Sequence, residues 1–287
     1  MREMVARVGG VAYDVVGRGE PVLLLHGGSG RRQWFDALSE LLAEEFRMLR
    51  VDLPGHGESD HTPGHYRLDD SVDALLGVLE VAGDGPWWVV GHSHGAHVGL
   101  VLAALYPEIV RGLVIGDAPL GKARMRQHQS STARMNRGWR RLTDPELSHE
   151  DVLRGFLALE VETADGSVSV DRFFGADHPY VHEMVACLER HDGDFLDAVL
   201  ERFDDTYRCL DEALLRRVRC EVALLRGDPA AGGLVQDDDE AYLLRNIPQA
   251  RVLRLRGVGH GLQLQDPHQV ADALRQVLGT GAGRVPD

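Results

Sequence analysis

The sequence predicts an α/β fold with a mostly parallel central sheet flanked by helices. Short apolar segments typical of strands alternate with helical segments through residues 1–120, and the alternation resumes from residue 219. Apolar strands separated by helices are typical of a parallel sheet that is covered on both faces. Residues 121–218 between them are polar and helical in pattern. We therefore predict an α/β core formed by residues 1–120 and 219–287, with a helical cap or lid at 121–218.

Individual elements follow from local patterns. The predicted strands lie at residues 11–16, 22–25, 47–51, 87–90, 110–115, 222–225 and 251–255. Leu68, Val72, Leu75, Leu76 and Leu79 recur at helical spacing. Residues 96–106 form a helix that stops before a proline, and residues 148–151 resemble a capping box that opens a helix through residue 159. A final helix begins with a proline at position 267.

Composition excludes several classes of partner. The 287 residues carry a net charge of −14, which argues against nucleic acid or an anionic membrane surface as a partner. No apolar run approaches the roughly 18 residues needed to span a bilayer, and the first residues do not resemble a signal peptide. Cys187, Cys209 and Cys220 are widely spaced and odd in number, which favours a reduced, cytoplasmic chain. No sequence feature predicts an oligomeric state.

The stretch Gly91-His92-Ser93-His94-Gly95 carries the strongest functional signal. It follows a predicted strand and precedes a predicted helix, so it predicts a tight turn with a serine at its apex. Glycines two residues before and after the serine allow a backbone crossing where a Cβ would clash. Such a turn exposes the hydroxyl of Ser93 and aims free N–H groups at the group it attacks. The alternative role for Ser93 is a helix cap.

Four motifs in a fixed order resemble the α/β-hydrolase family, in its branch of capped, serine-nucleophile esterases and C–C hydrolases. They are a His-Gly-Gly loop at 26–28, an Asp-x-Pro-Gly-x-Gly-x-Ser turn at 52–59, the serine turn, and Gly-His-Gly at 259–261. The resemblance covers nearly the whole chain outside the insertion. It implies a serine hydrolase that acts on an ester, lactone or activated carbonyl of a small, mainly apolar molecule, with no metal or organic cofactor.

The resemblance also implies roles for individual residues. Ser93 is the nucleophile and His260 the general base, and the backbone N–H groups of Gly28 and His94 form the oxyanion hole. Asp228, after the penultimate strand, is the predicted acid, although the usual Gly-x-x-Asp spacing would place Ala230 there. Asp117 and three loop aspartates are alternatives for the acid, namely Asp237, Asp238 and Asp239. Trp34 either lines the pocket or packs, and the cap is expected to contribute aromatic residues with a few Arg and His.

Two other functions remain open. The same fold serves non-hydrolytic proteins, such as lyases, cofactor-free oxygenases and small-molecule receptors, because the pocket decides the chemistry. His92, His94 and His97 also have the histidine spacing of the zinc motif of metallo-β-lactamase-like hydrolases. The aspartate of that motif is replaced by Ala96, which removes a ligand of its second metal.

Overall fold

A computed structural model describes residues 5–83, 85–163 and 166–279 of the chain. Its main sheet has eight strands in the order β1-β2-β4-β3-β5-β6-β9-β10. Strands β3 to β6, β9 and β10 pair in parallel, and antiparallel pairing is confined to the β1–β2 and β2–β4 neighbours at one edge. The strands are β1 Ala6–Val8, β2 Val11–Gly17, β3 Glu20–Leu25, β4 Phe46–Val51, β5 Trp87–His92, β6 Val110–Gly116, β9 Glu221–Arg226 and β10 Arg251–Arg254. The predicted α/β class and mostly parallel sheet are confirmed.

Helices cover both faces of this sheet. The core helices are α1 Asp36–Leu42, α2 Leu68–Ala82, α3 His94–Leu105, α11 Asp237–Asn246 and α12 Pro267–Leu278. Alternate strand residues separate into two clusters because successive side chains of a strand point to opposite faces. Leu23, Leu25 and Val89 pack with α2, α3 and α11, whereas Val22, Leu24 and Val90 pack with α1 and α12. Both faces are therefore apolar and buried.

Residues 121–218, called the insert below, connect β6 to β9. The insert contains α4 Lys122–Leu142, α5 His149–Leu157, α6 Val170–Phe174, α7 Pro179–Leu188, α8 Gly193–Glu201, α9 Phe203–Thr206 and α10 Glu212–Leu215. It also contains an antiparallel hairpin of β7 Glu160–Thr163 and β8 Gly166–Ser169, which the polar sequence did not predict. Helices α4 to α7 bury their own apolar cluster, which includes Phe156, Val181, Met184 and Leu188.

Most predicted elements agree with the structure to within a few residues. The predicted capping box is present, since the Ser148 hydroxyl accepts a hydrogen bond from the Asp151 N–H at 3.2 Å, but its helix ends at Leu157. Strand β1 was missed because it is only three residues long and half exposed. In the part of the chain described, no helix is long and apolar enough to cross a bilayer.

Candidate active site

Ser93 lies between β5 and α3 in a backbone conformation that is rare for a side-chain-bearing residue, with φ 53° and ψ −116°. Glycines make the turn possible. A Cβ on Gly91 would lie 2.4 Å from the Gly95 carbonyl oxygen, and one on Gly95 would lie 2.3 Å from the Leu25 carbonyl oxygen. No side chain fits at such distances, so both positions require glycine. The turn presents Ser93 at the carboxyl end of the sheet, in the predicted strand–turn–helix context.

His260 lies in the loop after β10, and its ring is held by a buried carboxylate. Its Nδ1–H donates to Asp117 Oδ2 at 2.9 Å. Asp117 follows β6 and is fully buried, and it also accepts backbone N–H groups from Gly227 at 3.0 Å and Leu234 at 2.8 Å. Burial alone raises the pKa of this carboxyl, but the hydrogen bond and charge of His260, together with the N–H donors, lower the pKa below its ordinary value. Asp117 is thus held as a carboxylate, and Nε2 of His260 is left as the basic nitrogen.

The predicted partner of His260 is corrected by this geometry. The Asp228 carboxylate accepts N–H groups from Ala230 at 2.9 Å and Gly257 at 3.0 Å. Asp228 therefore caps the short 3₁₀ helix Pro229–Ala231 and braces the loop that carries His260, instead of contacting the imidazole.

The three loop aspartates also have positions that do not involve His260. Asp237 pairs with Arg226, Asp238 is exposed in the first turn of α11, and Asp239 pairs with Arg124 and caps α11. The end of β6 lies beside the ends of β5 and β9 in the sheet, which brings the carboxylate of Asp117 within reach of His260.

Gly28 and His94 face each other across the site. A Cβ on Gly28 would lie 3.8 Å from the Cβ of His94. Among the described residues, neither backbone N–H has an intramolecular acceptor. His94 is the first residue of α3, where N–H groups lack partners within the helix. The two predicted oxyanion donors are therefore adjacent and free.

Two buried histidines hold the glycine loop in place. His26 Nδ1–H donates to the Gly27 carbonyl at 2.8 Å, and its Nε2 accepts the Leu53 N–H at 3.0 Å. His56 Nε2 accepts the Ser29 N–H at 3.2 Å. The loop at 26–30 is thereby tied to the turn at 52–57.

The three histidines considered as zinc ligands do not converge. His92 Nε2–H donates to the His260 carbonyl at 2.7 Å, His94 Nδ1 lies 3.3 Å from the Tyr207 hydroxyl, and His97 Nε2–H donates to the Pro119 carbonyl at 2.9 Å. Within the described ranges, no group of three or more His, Cys, Asp or Glu side chains is placed to hold a metal ion.

Ser93 and His260 open into a cavity of about 720 Å³ between the core and the insert. Trp34 lines this cavity and also packs against the apolar cluster of the insert. The insert contributes aromatic side chains to the lining, as expected: Trp139, Phe174, Tyr180, Phe195, Phe203 and Tyr207.

We did not predict from the sequence which helix of the insert forms a wall of the cavity. Seven residues of α4 line it: Met125, His128, Gln129, Thr132, Met135, Asn136 and Trp139. They recur every three or four positions, which is the spacing of one helix face. This spacing is the signal in the sequence that could have identified them.

The chain belongs to the alpha/beta hydrolase family. A model of that family matches residues 22–273. The membership agrees with the eight-stranded sheet, the serine turn after β5 and the histidine after β10.

Several proteins of this family resemble the chain. A serine hydrolase-like protein of Danio rerio is 37% identical over 101 residues, which are 34% of this chain and 31% of that protein. The matched segment thus spans about a third of that relative. An esterase of Mycobacterium tuberculosis is 28% identical over 90% of this chain and 83% of its own. The structure of an E-2-(acetamidomethylene)succinate hydrolase superposes with a TM-score of 0.72 at 22% identity, covering 97% of this chain and 100% of the other. A structure described as an N-acyl homoserine lactone degrading enzyme has a TM-score of 0.70 at 20% identity, covering 95% of this chain and 99% of that one.

Proposed function

We propose that this protein is a serine hydrolase that cleaves an ester, lactone or activated carbonyl of a small, mainly apolar molecule. The observation that carries the proposal is the His260–Asp117 hydrogen bond beside a cavity that also contains Ser93 at a strained turn. A serine hydroxyl is a weak nucleophile until a neighbouring base accepts its proton.

The reaction follows from the arrangement of these groups. Ser93 Oγ attacks the carbonyl carbon while His260 Nε2 accepts the hydroxyl proton. The backbone N–H groups of Gly28 and His94 bind the oxyanion of the tetrahedral intermediate, and each donor of this kind contributes roughly 3 kcal/mol to the transition state. His260 then protonates the leaving oxygen or carbon, which leaves an acyl group on Ser93.

Water completes the cycle. His260 takes a proton from a water molecule that attacks the acyl carbonyl, and Ser93 recovers its proton as the acid departs. Asp117 keeps Nδ1 protonated throughout and stabilises the imidazolium. We further propose that the core is formed by residues 1–120 and 219–287 and that the insert serves as a cap that restricts water at the site.

The names of similar proteins support hydrolysis of acyl compounds. They include an esterase, a lactone-degrading enzyme and a hydrolase of a succinate derivative. These compounds differ in charge and in the bond that is broken, so the names alone do not select the substrate.

Labelling with a fluorophosphonate tests the proposal directly. We expect an adduct on Ser93, identified by peptide mass spectrometry, that is lost in Ser93→Ala and greatly slowed in His260→Ala. Hydrolysis of short 4-nitrophenyl esters should disappear in the same two variants. Full esterase activity in Ser93→Ala would contradict the proposal. No adduct and no turnover in the wild type would favour a receptor or lyase. A stoichiometric zinc content would instead favour a zinc hydrolase that uses His92, His94 and His97.

A further inference from the structure

The charges of the side chains that line the cavity at Ser93 bear on the substrates it can accept. Of the lining residues, all of which lie in the described part of the chain, none is Arg, Lys, Asp or Glu. The carboxylate of Asp117 is buried behind His260 and does not line the cavity. The few arginines expected in the pocket from the sequence are therefore not in its lining.

The arginines of helix α4 lie outside the cavity lining. The cavity face of α4 carries Met125, Thr132, Met135 and Asn136, and none of its six arginines is in the lining. Arg126 pairs with Asp204, Arg134 with Glu160, and Arg140 with Asp197 at 2.8 Å. An arginine that already pairs with a carboxylate outside the cavity is not available to a substrate inside it.

Four of the six histidines in the lining, namely His92, His94, His97 and His128, do not supply a cation either. Burial, together with neighbouring histidine rings, lowers the pKa of His92 and His94 to about 3. Burial lowers the pKa of His97 and His128 to about 4. These four rings are neutral near pH 7 and present only uncharged hydrogen-bonding groups.

A charged substrate would lose its hydration in such a site without gaining an Arg, Lys, Asp or Glu side chain of the lining as a partner. An ionised carboxylate is strongly disfavoured in an apolar environment unless it is paired and hydrogen-bonded. A neutral ester, lactone or ketone loses far less, because its carbonyl and ether oxygens need only neutral donors such as Thr132, Asn136 and His128.

We infer that the site accepts uncharged acyl compounds and rejects those that carry a carboxylate or ammonium group within the cavity. The inference rests on the proposed serine hydrolase function and narrows its substrate class. It separates this chain from hydrolases that act on anionic acyl compounds, whatever their overall structural similarity.

A matched pair of substrates tests the inference. 4-Nitrophenyl methyl adipate and 4-nitrophenyl hydrogen adipate share the leaving group and the acyl length and differ in one negative charge. We expect kcat/KM at pH 7.5 to be higher for the methyl ester by at least about a hundredfold, given the cost of an unpaired carboxylate. Equal values, or a preference for the free acid, would overturn the inference.

A charge introduced into the lining provides the converse test. Met135→Arg places a cation on the cavity face of α4, and Ser130→Arg adds the same charge on its exposed face. Met135→Arg should reduce the preference for the methyl ester by about tenfold or more, as expected for a paired carboxylate, and Ser130→Arg should leave it unchanged. An unchanged preference in a folded Met135→Arg would contradict the inference.

Binding separates this inference from the proposed function. Calorimetry of Ser93→Ala with dimethyl adipate and monomethyl adipate measures selectivity without turnover. Tighter binding of the neutral diester supports the inference even if the wild type hydrolyses neither nitrophenyl ester, a result that would refute only the hydrolase function. Equal or tighter binding of the acid overturns the inference even if Ser93 is catalytic.

Discussion

His260 and Asp117 are 143 positions apart, yet their side chains form the hydrogen bond on which the proposed chemistry depends. The carboxylate of Asp117 has no contact with solvent and accepts three backbone N–H groups besides the imidazole, from Gly227, Leu234 and Val235. Among the described residues, the Asp228 carboxylate accepts hydrogen bonds only from backbone N–H groups, one of its own loop and one of the loop that carries His260. Removing the charge of Asp117 should therefore affect catalysis more than removing the charge of Asp228.

Asparagine at each position separates the two roles. Asp117→Asn should lower kcat by about 10⁴-fold, because an amide cannot hold the required imidazole tautomer or stabilise its cation. Asp228→Asn keeps an oxygen acceptor for only one of the Ala230 and Gly257 N–H groups, but it leaves the imidazole untouched and should lower kcat less than about tenfold. Steady-state kinetics on a 4-nitrophenyl ester measure both. The reverse order of effects would return the acid role to Asp228.

At the scale of single elements, the turn between β5 and α3 depends on close backbone approach. Gly95 lies directly against the end of β3, whereas Gly77 lies within α2 with more space around it. A Cβ on Gly77 would be 3.5 Å from a Val8 methyl carbon, which is an ordinary contact. A methyl group should therefore clash with backbone at Gly95 and fit at Gly77.

Alanine at these positions should change stability in opposite directions. Gly95→Ala forces β3 and α3 apart and should lower the free energy of unfolding by about 3 kcal/mol or more, with loss of Ser93 labelling. Gly77→Ala should raise it by up to about 1 kcal/mol, because alanine favours the helix. Chemical denaturation monitored by circular dichroism measures both. A Gly95→Ala protein as stable and as reactive as the wild type would contradict the backbone geometry of the turn.

At the scale of the whole molecule, the insert is tied to the core next to the loop at residues 26–30. Arg31, just after that loop, forms two hydrogen bonds with Glu183 of α7, both at 2.7 Å. Both side chains are three-quarters buried or more, so solvent screens the pair only in part. Tyr66 of the core also donates to the Asp192 carboxylate of the insert at 2.5 Å. The Arg31–Glu183 pair therefore links the insert to the loop that carries Gly28.

Removing one charge of the Arg31–Glu183 pair tests this coupling. Glu183→Gln weakens a paired, charge-assisted interaction and should lower kcat of the proposed reaction by about three- to tenfold, with a smaller change in KM. Glu189→Gln is the control. It removes a carboxylate near the end of the same helix, where Glu189 pairs with the exposed His149, and it should have no effect on kcat. Equal kcat and KM values in the two variants would show that the Arg31–Glu183 pair does not position the loop at residues 26–30.

Acid sensitivity is a second property of the whole molecule. Burial lowers the pKa of His92 and His94 to about 3, and of His97 and His191 to about 4, from 6.5 in the unfolded chain. Below pH 6.5 the unfolded chain takes up protons that the folded protein does not bind, so stability falls as the pH falls towards 4. We expect the urea midpoint to decrease steadily from pH 7 to pH 5.

One buried histidine outside the cavity isolates this effect. His191→Gln should reduce the slope of the free energy of unfolding against pH by roughly 1 kcal/mol per pH unit between pH 4.5 and 6. His182→Gln, at an exposed position of α7, should leave the dependence unchanged. A urea midpoint that is constant from pH 7 to pH 5 would show that these rings are not buried in the neutral form.

The sequence by itself determined the α/β class, most strands and helices of the core, and the serine turn. These features depend on residues close together in the chain: the apolar run before Gly91, the glycines around Ser93, and the helical spacing from Leu68 to Leu79. Only the tertiary structure decided that Asp117 and not Asp228 contacts His260, because both follow a strand and the contact depends on how distant loops meet at the sheet edge. It also decided which face of α4 lines the cavity, and hence the absence of Arg, Lys, Asp and Glu from the lining. The reason is that the side chains of the insert come to line one cavity only when the insert packs against the core.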